Sequence, residues 1–98
     1  MIRARRISRD RAEEIAVMAL GHIASRPDLL GRYLDLTGLR PDGLRQAASE
    51  PGFLAGTLTF LLAHEPDLFD FAEAAELHPE EVVEAARQLG VKELPQVG

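Results

Sequence analysis

The chain has 98 residues, a formal net charge of −5 and 28% charged residues, a composition typical of one small globular domain. It contains no cysteine, which excludes disulfides and thiolate metal sites. The longest stretch without a formally charged residue, Pro51 to His64, is shorter than the roughly 20 residues that cross a bilayer. The sequence therefore predicts a cytoplasmic protein with a small core.

Five of the six prolines stand where a helix would begin, namely Pro27, Pro41, Pro51, Pro66 and Pro79. Proline is favoured in the first turn of a helix, because its missing N–H would have no helical partner there. These prolines divide the chain into six helical segments, and no segment shows the alternation of a β-strand. The pattern predicts an all-α, single-domain bundle of five or six short helices.

The chain begins with a basic segment. Residues 1–9 contain four arginines, with only Ile2 and Ile7 as apolar anchors, so they are predicted to form a flexible basic arm. The first helix is expected from about Asp10, and residues 10–91 are predicted to be the helical domain. Residues 92–98, which include Pro95, are predicted to be a flexible tail.

The second helix is predicted from Pro27, with Gly38 well placed to end it. Its apolar face is assigned to Leu29, Leu30, Tyr33, Leu34 and Leu36. The third, from Pro41 to about Ser49, contains Gly43 and is expected to be the least stable on helix propensity.

The fourth helix, from Pro51 to about Ala63, is apolar round most of its circumference, so it is expected in the middle of the bundle. The fifth begins near Pro66, and the sixth begins near Pro79 and ends at Gly90. The inward residues of these last two helices are predicted to be Leu68, Phe69, Phe71, Ala72, Ala75, Val82, Val83, Ala86 and Leu89.

The segments also predict an internal pseudo-repeat of helix triplets. Residues 15–48 can be laid over residues 54–86, with one residue of slip between the second and third segments. This register pairs Pro27 with Pro66 and Pro41 with Pro79. We expect helices one to three to superpose approximately on helices four to six.

Each triplet contains a spacing similar to a helix-turn-helix, Leu34-x3-Gly38-Leu39-x4-Leu44 and Ala72-x3-Glu76-Leu77-x4-Val82. A DNA-binding version needs donors and positive charge on its second helix. The first unit offers Arg45 and Gln46 with Arg40 beside them, whereas the second offers Glu80, Glu81 and Glu84. The simpler interpretation is that each spacing forms a corner between two helices and serves only their packing. Nucleic-acid binding is kept as the alternative.

Charge is distributed unevenly along the chain. The first eleven residues contain five arginines and one acid, whereas residues 65–84 contain eight acids and no lysine or arginine. The simpler explanation of such a run is a helix face that is exposed to solvent. The functional interpretation is a charged surface that binds a partner of opposite charge. The speculative partner-binding residues are Arg3, Arg5, Arg6, Arg9, Arg40, Arg45, Glu73, Glu76 and Glu80.

Residues suited to catalysis or metal binding are isolated. His22, His64 and His78 have no companion at a metal-ligand spacing such as H-x3-H. The serines lack a nucleophile-elbow context, and Gly52-x3-Gly56 has no lysine to hold a phosphate. We therefore expect no enzymatic activity, no metal, no cofactor and no small-molecule substrate.

Four sequence segments together resemble the short bacterial proteins of domain-of-unknown-function family 3572. They are Glu14 to Leu20, Leu34-x-Leu36-Thr37-Gly38-Leu39, Phe71 to Ala75 and, most specific of all, Pro51-Gly52-Phe53-Leu54-Ala55-Gly56. The resemblance covers roughly Ala12 to Leu89 and implies a small cytoplasmic helical protein. It brings no activity and no catalytic residues with it.

The leading functional prediction is a small non-enzymatic module that binds an unknown protein partner or itself. The alternative is a nucleic-acid-associated protein that uses the arginine-rich arm. A connected apolar patch of several hundred Å² exposed on helices five and six would favour the first, and a continuous basic stripe that joins the arm to Arg40 and Arg45 would favour the second.

Overall fold

The computed structural model describes residues 7–92, and these form an all-α, single-domain bundle. Its helices are α1 (Arg9–Ala24), α2 (Pro27–Thr37), α3 (Leu44–Ala47), α4 (Pro51–Leu62), α5 (Glu65–Ala75) and α6 (Pro79–Gln88), with a 3-10 turn at Pro41–Gly43 before α3. No strand occurs within this range. The predicted fold class is confirmed.

The five prolines occupy the helix starts that the sequence predicts. Each lies at the first or second position of α2, the 3-10 turn, α4, α5 or α6. Arg26, Glu50 and His78, which precede α2, α4 and α6, have extended backbones. A residue before proline is pushed away from helical angles, so Pro27, Pro51 and Pro79 each end the preceding loop and start the next helix. Pro66 is instead the second residue of α5.

The first helix begins one residue earlier than predicted. Ser8 is its N-cap, and the Ser8 hydroxyl accepts a hydrogen bond of 3.0 Å from the Arg11 backbone N–H. Ile7 packs against the core, and Arg9 belongs to α1. The last three residues of the predicted arm are therefore part of the folded body, whereas residues 1–6 of that arm lie outside the described residues, as do residues 93–98 of the predicted tail.

The centre of the bundle is shared by α1 and α4. Leu58 and Leu61 of α4 have no exposed surface, and neither do Ile15 and Ile23 of α1. Helix α1 packs against α2, α4, α5 and α6, whereas α4 packs against α1, α5 and α6. Ala12, Ala16 and Ala19 are fully buried along α1, and these small side chains allow its neighbours to approach closely.

The pseudo-repeat is not confirmed by the structure. The second helices of the two triplets, α2 and α5, do end in the same way. Gly38 after α2 and Glu76 after α5 both have left-handed backbones, with φ of 74° and 57°. The third elements differ. Helix α3 has four residues and none is buried, whereas α6 has ten residues and buries Val82, Ala85 and Ala86.

Two inward assignments are wrong. Leu36 of α2 is 77% exposed and Phe69 of α5 is 48% exposed. The other predicted inward residues of α2, α5 and α6 are buried or partly buried. Leu36 is the more exposed of the two, and it lies at the edge of the groove described next.

Candidate functional site: an apolar groove between α2 and α4

A groove of about 510 Å³ lies between α2 and α4. Helix α2 packs mainly against α1, so its other side is separated from α4 along much of its length. The groove is lined by Arg32, Tyr33, Leu36, Thr37, Gly56, Thr59, Phe60, Ala63 and His64. We call this surface the α2/α4 groove.

Tyr33 forms the floor of the groove and connects α2 to α4. Its side chain is 1% exposed, and its ring makes edge-on contacts with Phe53 and Phe60, with centroids 6.1 Å and 5.1 Å away. Such aromatic pairs add to the stabilisation from burial alone. The floor of the groove is thus a packed aromatic cluster.

The Tyr33 hydroxyl lies in a short buried hydrogen-bond chain. It is 2.9 Å from the Thr57 hydroxyl, which in turn donates to the Phe53 carbonyl at 3.0 Å. Because Thr57 uses its proton on Phe53, the Tyr33 hydroxyl is the donor to Thr57. Burial raises the pKa of Tyr33. Both hydroxyls are satisfied inside the core, which holds α2 in one position over α4.

A charged cluster closes one end of the groove. Arg32 Nη2 lies 2.5 Å from Asp67 Oδ2, and His64 Nδ1 lies 2.9 Å from the same oxygen. The Arg32 guanidinium also sits 5.6 Å from the centre of the Phe60 ring, a distance typical of a cation–π contact. Arg32 is therefore held at the edge of the groove with half of its side chain exposed.

The polar side chains in the groove use their donors inside the protein. The Thr37 hydroxyl donates to the Tyr33 carbonyl at 2.9 Å, and the Thr59 hydroxyl donates to the Ala55 carbonyl at 3.0 Å. Helix α4 itself contains no charged residue. Between its charged end and Leu36, the groove consequently offers mainly apolar surface.

A second hollow, of about 490 Å³, lies on the other side of Arg32. Charged side chains of both signs line it, and they include Arg26, Asp28, Asp67 and Asp70. The His22 ring lies beside Phe71, with centroids 5.4 Å apart. Its Nε2 atom is buried and has no hydrogen-bond partner within residues 7–92.

Burial, and to a smaller extent the charge of Arg26, lower the pKa of His22 from its ordinary 6.5, while Asp70 and Asp67 oppose the shift. The unfolded chain therefore binds a proton at His22 more readily than the folded chain does. As far as His22 is concerned, the free energy of unfolding is therefore highest above about pH 6.5, and it decreases as the pH falls below that value.

We expect acidification from about pH 7.5 to pH 5.5 to destabilise wild type more than a His22→Gln variant, because only wild type has this partly buried imidazole, whose neutral form the folded state favours. Urea unfolding of both proteins at each pH measures the difference. Carboxylates titrate alike in both proteins, so they cancel. An equal loss of unfolding free energy in the two would contradict the role of His22.

The residues predicted from charge alone are dispersed over the surface. Arg9 lies 3.6 Å from Glu13 and donates to the Gln88 carbonyl at 3.2 Å, so it connects α1 to the end of α6. Arg40 pairs weakly with Asp42 at 3.7 Å, and Arg45 is exposed on α3. Arg3, Arg5 and Arg6 lie outside the described residues.

The predicted acidic residues are exposed but have different local roles. Glu73 lies on α5, Glu76 ends that helix in a left-handed conformation, and Glu80 lies in the first turn of α6. Their neighbour Glu81 accepts a hydrogen bond of 2.9 Å from the His78 backbone N–H. Nothing in the structure tests whether Glu73, Glu76 or Glu80 binds a partner, so that assignment stays a prediction.

Sequence reasoning missed the residues that form the groove. Sequence spacing predicts Tyr33 and Leu36 on one apolar face and Phe60 in a helix buried in the core, and it gives Arg32 no role. The available signal was Leu36 itself, a large apolar residue near the end of a helix that the following glycine terminates. Its exposure depends on the distance between α2 and α4, which no sequence spacing reveals.

Residues 7–92 contain neither a metal-binding cluster nor a membrane-spanning helix. No cluster of three or more histidine, aspartate or glutamate side chains in this range is arranged to hold a metal ion. Over the same range, none of the helices has both the length and the apolar character needed to cross a membrane.

The fold and the groove define a small all-α protein with an open apolar surface between two helices. Residues 9–92 match the model of the family described as "Protein of unknown function (DUF3572)", and the chain belongs to that family. No curated protein and no solved structure matches the chain.

Proposed function

We propose that the protein is a small non-enzymatic interaction module that binds a protein surface at the α2/α4 groove. The observation that supports this most directly is Leu36, which is 77% exposed at the edge of an apolar groove. A single exposed leucine is ordinary on a protein surface, but one that continues into an apolar groove is typical of a docking site.

The groove is suited to apolar side chains rather than to a polar metabolite. The hydroxyls of Thr37 and Thr59 already donate within their own helices, and the charges of Arg32 and Asp67 satisfy each other. A polar ligand would lose its hydration here and gain few hydrogen bonds in return. An apolar side chain has no such cost.

The groove is also largely preformed. Tyr33 is held by its contacts with Phe53 and Phe60 and by its hydrogen bond to Thr57. A binding surface that is already ordered loses less conformational entropy on association. This supports binding to a partner without a large rearrangement of the bundle.

The nucleic-acid alternative is supported less well by the described residues. The third helix, which would have to enter a DNA groove in the first unit, is a 3-10 turn followed by the four residues of α3. Arg40 next to it is paired with Asp42. We therefore place the binding surface at α2 and α4, and cytoplasmic location stays part of the proposal.

Photo-crosslinking in the native cell tests this function. A photoreactive amino acid at position 36 is expected to give discrete protein adducts that survive nuclease treatment. The matched control is position 17, because Val17 is also an exposed large apolar residue, 51% exposed, but does not line the groove. Adducts of equal yield from both positions, or none from position 36, would contradict the proposal, and nuclease-sensitive adducts would favour the alternative.

A further inference from the structure

The connection between α2 and α4 is weakly attached to the rest of the bundle. Residues 39–50, which we call the strap, include the 3-10 turn and α3, and none of them is buried. Their packing against the core comes from two apolar side chains, Leu44 and Ala48. Helix α3 itself packs mainly against the 3-10 turn before it. Detachment of the strap would therefore expose little apolar surface.

The hydrogen bonds of the strap are local. The Ala48 backbone N–H donates to the Leu44 carbonyl at 2.9 Å. The Glu50 backbone N–H donates to the Ala47 carbonyl at 3.0 Å. Within residues 7–92, no hydrogen bond joins the strap to α1, α5 or α6. Opening of the strap consequently breaks none of the hydrogen bonds that hold these three helices.

The last turn of α2 depends on the strap for its position. Asp35, Leu36 and Thr37 are all exposed, so this turn has no buried side chain of its own. The buried residues of α2, Leu29 and Tyr33, lie further back along the helix. Packing therefore holds α2 as far as its middle. Beyond that point the helix is held by its own hydrogen bonds and by the strap that follows it.

We propose that the strap detaches as a unit while the bundle stays folded, and that the last turn of α2 moves with it. The α2/α4 groove then has a fixed floor at Tyr33 and a movable edge at Leu36, so its width adjusts to the partner that binds. Binding surfaces that rearrange are drawn from segments of low local stability. This inference rests on the proposed function, because the groove is the surface that the strap regulates.

Native-state hydrogen exchange, followed by NMR, tests the strap without a partner. The Ala48 amide is expected to exchange at least a hundredfold faster, relative to its intrinsic rate, than the amide of Leu58 in α4. Its rate should not change in up to about 1 M urea, because local opening exposes little surface. The Leu58 amide should accelerate with urea, since it exchanges when the bundle unfolds. Equal protection or equal urea dependence of the two amides would overturn the proposal.

A Leu44→Ala variant tests whether the strap opens as a unit and moves the end of α2. It removes one of the two packing contacts, so the Ala48 and Glu50 amides are expected to exchange at least fivefold faster and by a similar factor. The Gly38 amide, which donates to the Leu34 carbonyl at the end of α2, should accelerate with them. Acceleration of Ala48 alone would show fraying, and an unchanged Gly38 would show that the edge of the groove is fixed. Either result would overturn the proposal.

Leu77→Ala is the matched control for this variant. Leu77 is another partly buried leucine that packs against the core, but it lies between α5 and α6. Its truncation should leave the exchange of the strap at the wild-type rate, although it lowers the stability of the bundle. Circular dichroism should show both variants folded. Equal acceleration of the strap in the two variants would mean that it exchanges by global unfolding, which would also overturn the proposal.

Crosslinking from position 36 separates this inference from the proposed function. Discrete adducts from a protein whose strap and bundle exchange alike would keep the proposed function and remove the strap. A strap that opens in a protein that gives no adducts would remove the proposed function and, with it, the regulation of the groove, but not the opening itself.

Discussion

Replacing Leu58 by aspartate is expected to unfold the entire domain. Leu58 has no exposed surface and lies in α4, which packs against α1, α5 and α6. An aspartate there would be a charge without a partner in the core. The cost is comparable to the whole stability of a typical domain, roughly 5–15 kcal/mol. Circular dichroism at 222 nm should show little helix and no cooperative thermal transition.

Gly52→Asp is the matched control for this substitution. It introduces the same side chain into the same helix, but Gly52 is exposed in the first turn. A carboxylate at that position interacts favourably with the helix dipole, so the variant should melt near the wild-type temperature. Cooperative melting of Leu58→Asp near the same temperature would show that α4 is not central to the core.

The second large effect is expected at Tyr33. Tyr33→Ala would remove a side chain that is 1% exposed and leave a cavity between α2 and α4. Truncation of a buried aromatic residue to alanine typically costs about 3–5 kcal/mol. Urea unfolding should therefore show a large fall in the free energy of unfolding, and crosslinking from position 36 should weaken because the floor of the groove is lost.

Tyr33→Phe measures the contribution of the hydroxyl to stability separately from that of the ring. It keeps both aromatic contacts and leaves the Thr57 hydroxyl donating to the Phe53 carbonyl, so only one acceptor site loses its partner. The expected loss is about 1 kcal/mol, with the groove intact. If Tyr33→Ala cost no more than Tyr33→Phe, the packing of the ring would not be what holds α2 over α4.

The helices could be predicted because their starts depend on local chemistry. Pro27, Pro51 and Pro79 begin helices, since proline restricts the residue before it and needs no hydrogen-bond acceptor in a first turn. Gly38 ends α2 with a φ of 74°, a conformation that glycine adopts without strain. Local rules were insufficient for the third element, where helical spacing from Pro41 gave only a 3-10 turn and four α-helical residues.

The candidate site could not be predicted in the same way. Sequence spacing assigned Leu36 and Tyr33 to one apolar face, yet Leu36 is exposed and Tyr33 is buried. The difference arises because α2 packs mainly against α1 and contacts α4 through Tyr33. Arg32 and Asp67, which are 35 residues apart in the chain, form one end of the groove for the same reason.

The sequence by itself determined an all-α chain, the positions at which most helices begin, and a charge-free fourth helix in the core, because these depend on backbone restrictions and on the cost of burying charge. Only the tertiary structure decided that α1 shares the centre with α4, that α3 and α6 are unlike, and that an apolar groove stays open beside Leu36. These features depend on distances between helices, and those distances are set by how side chains from remote segments pack together.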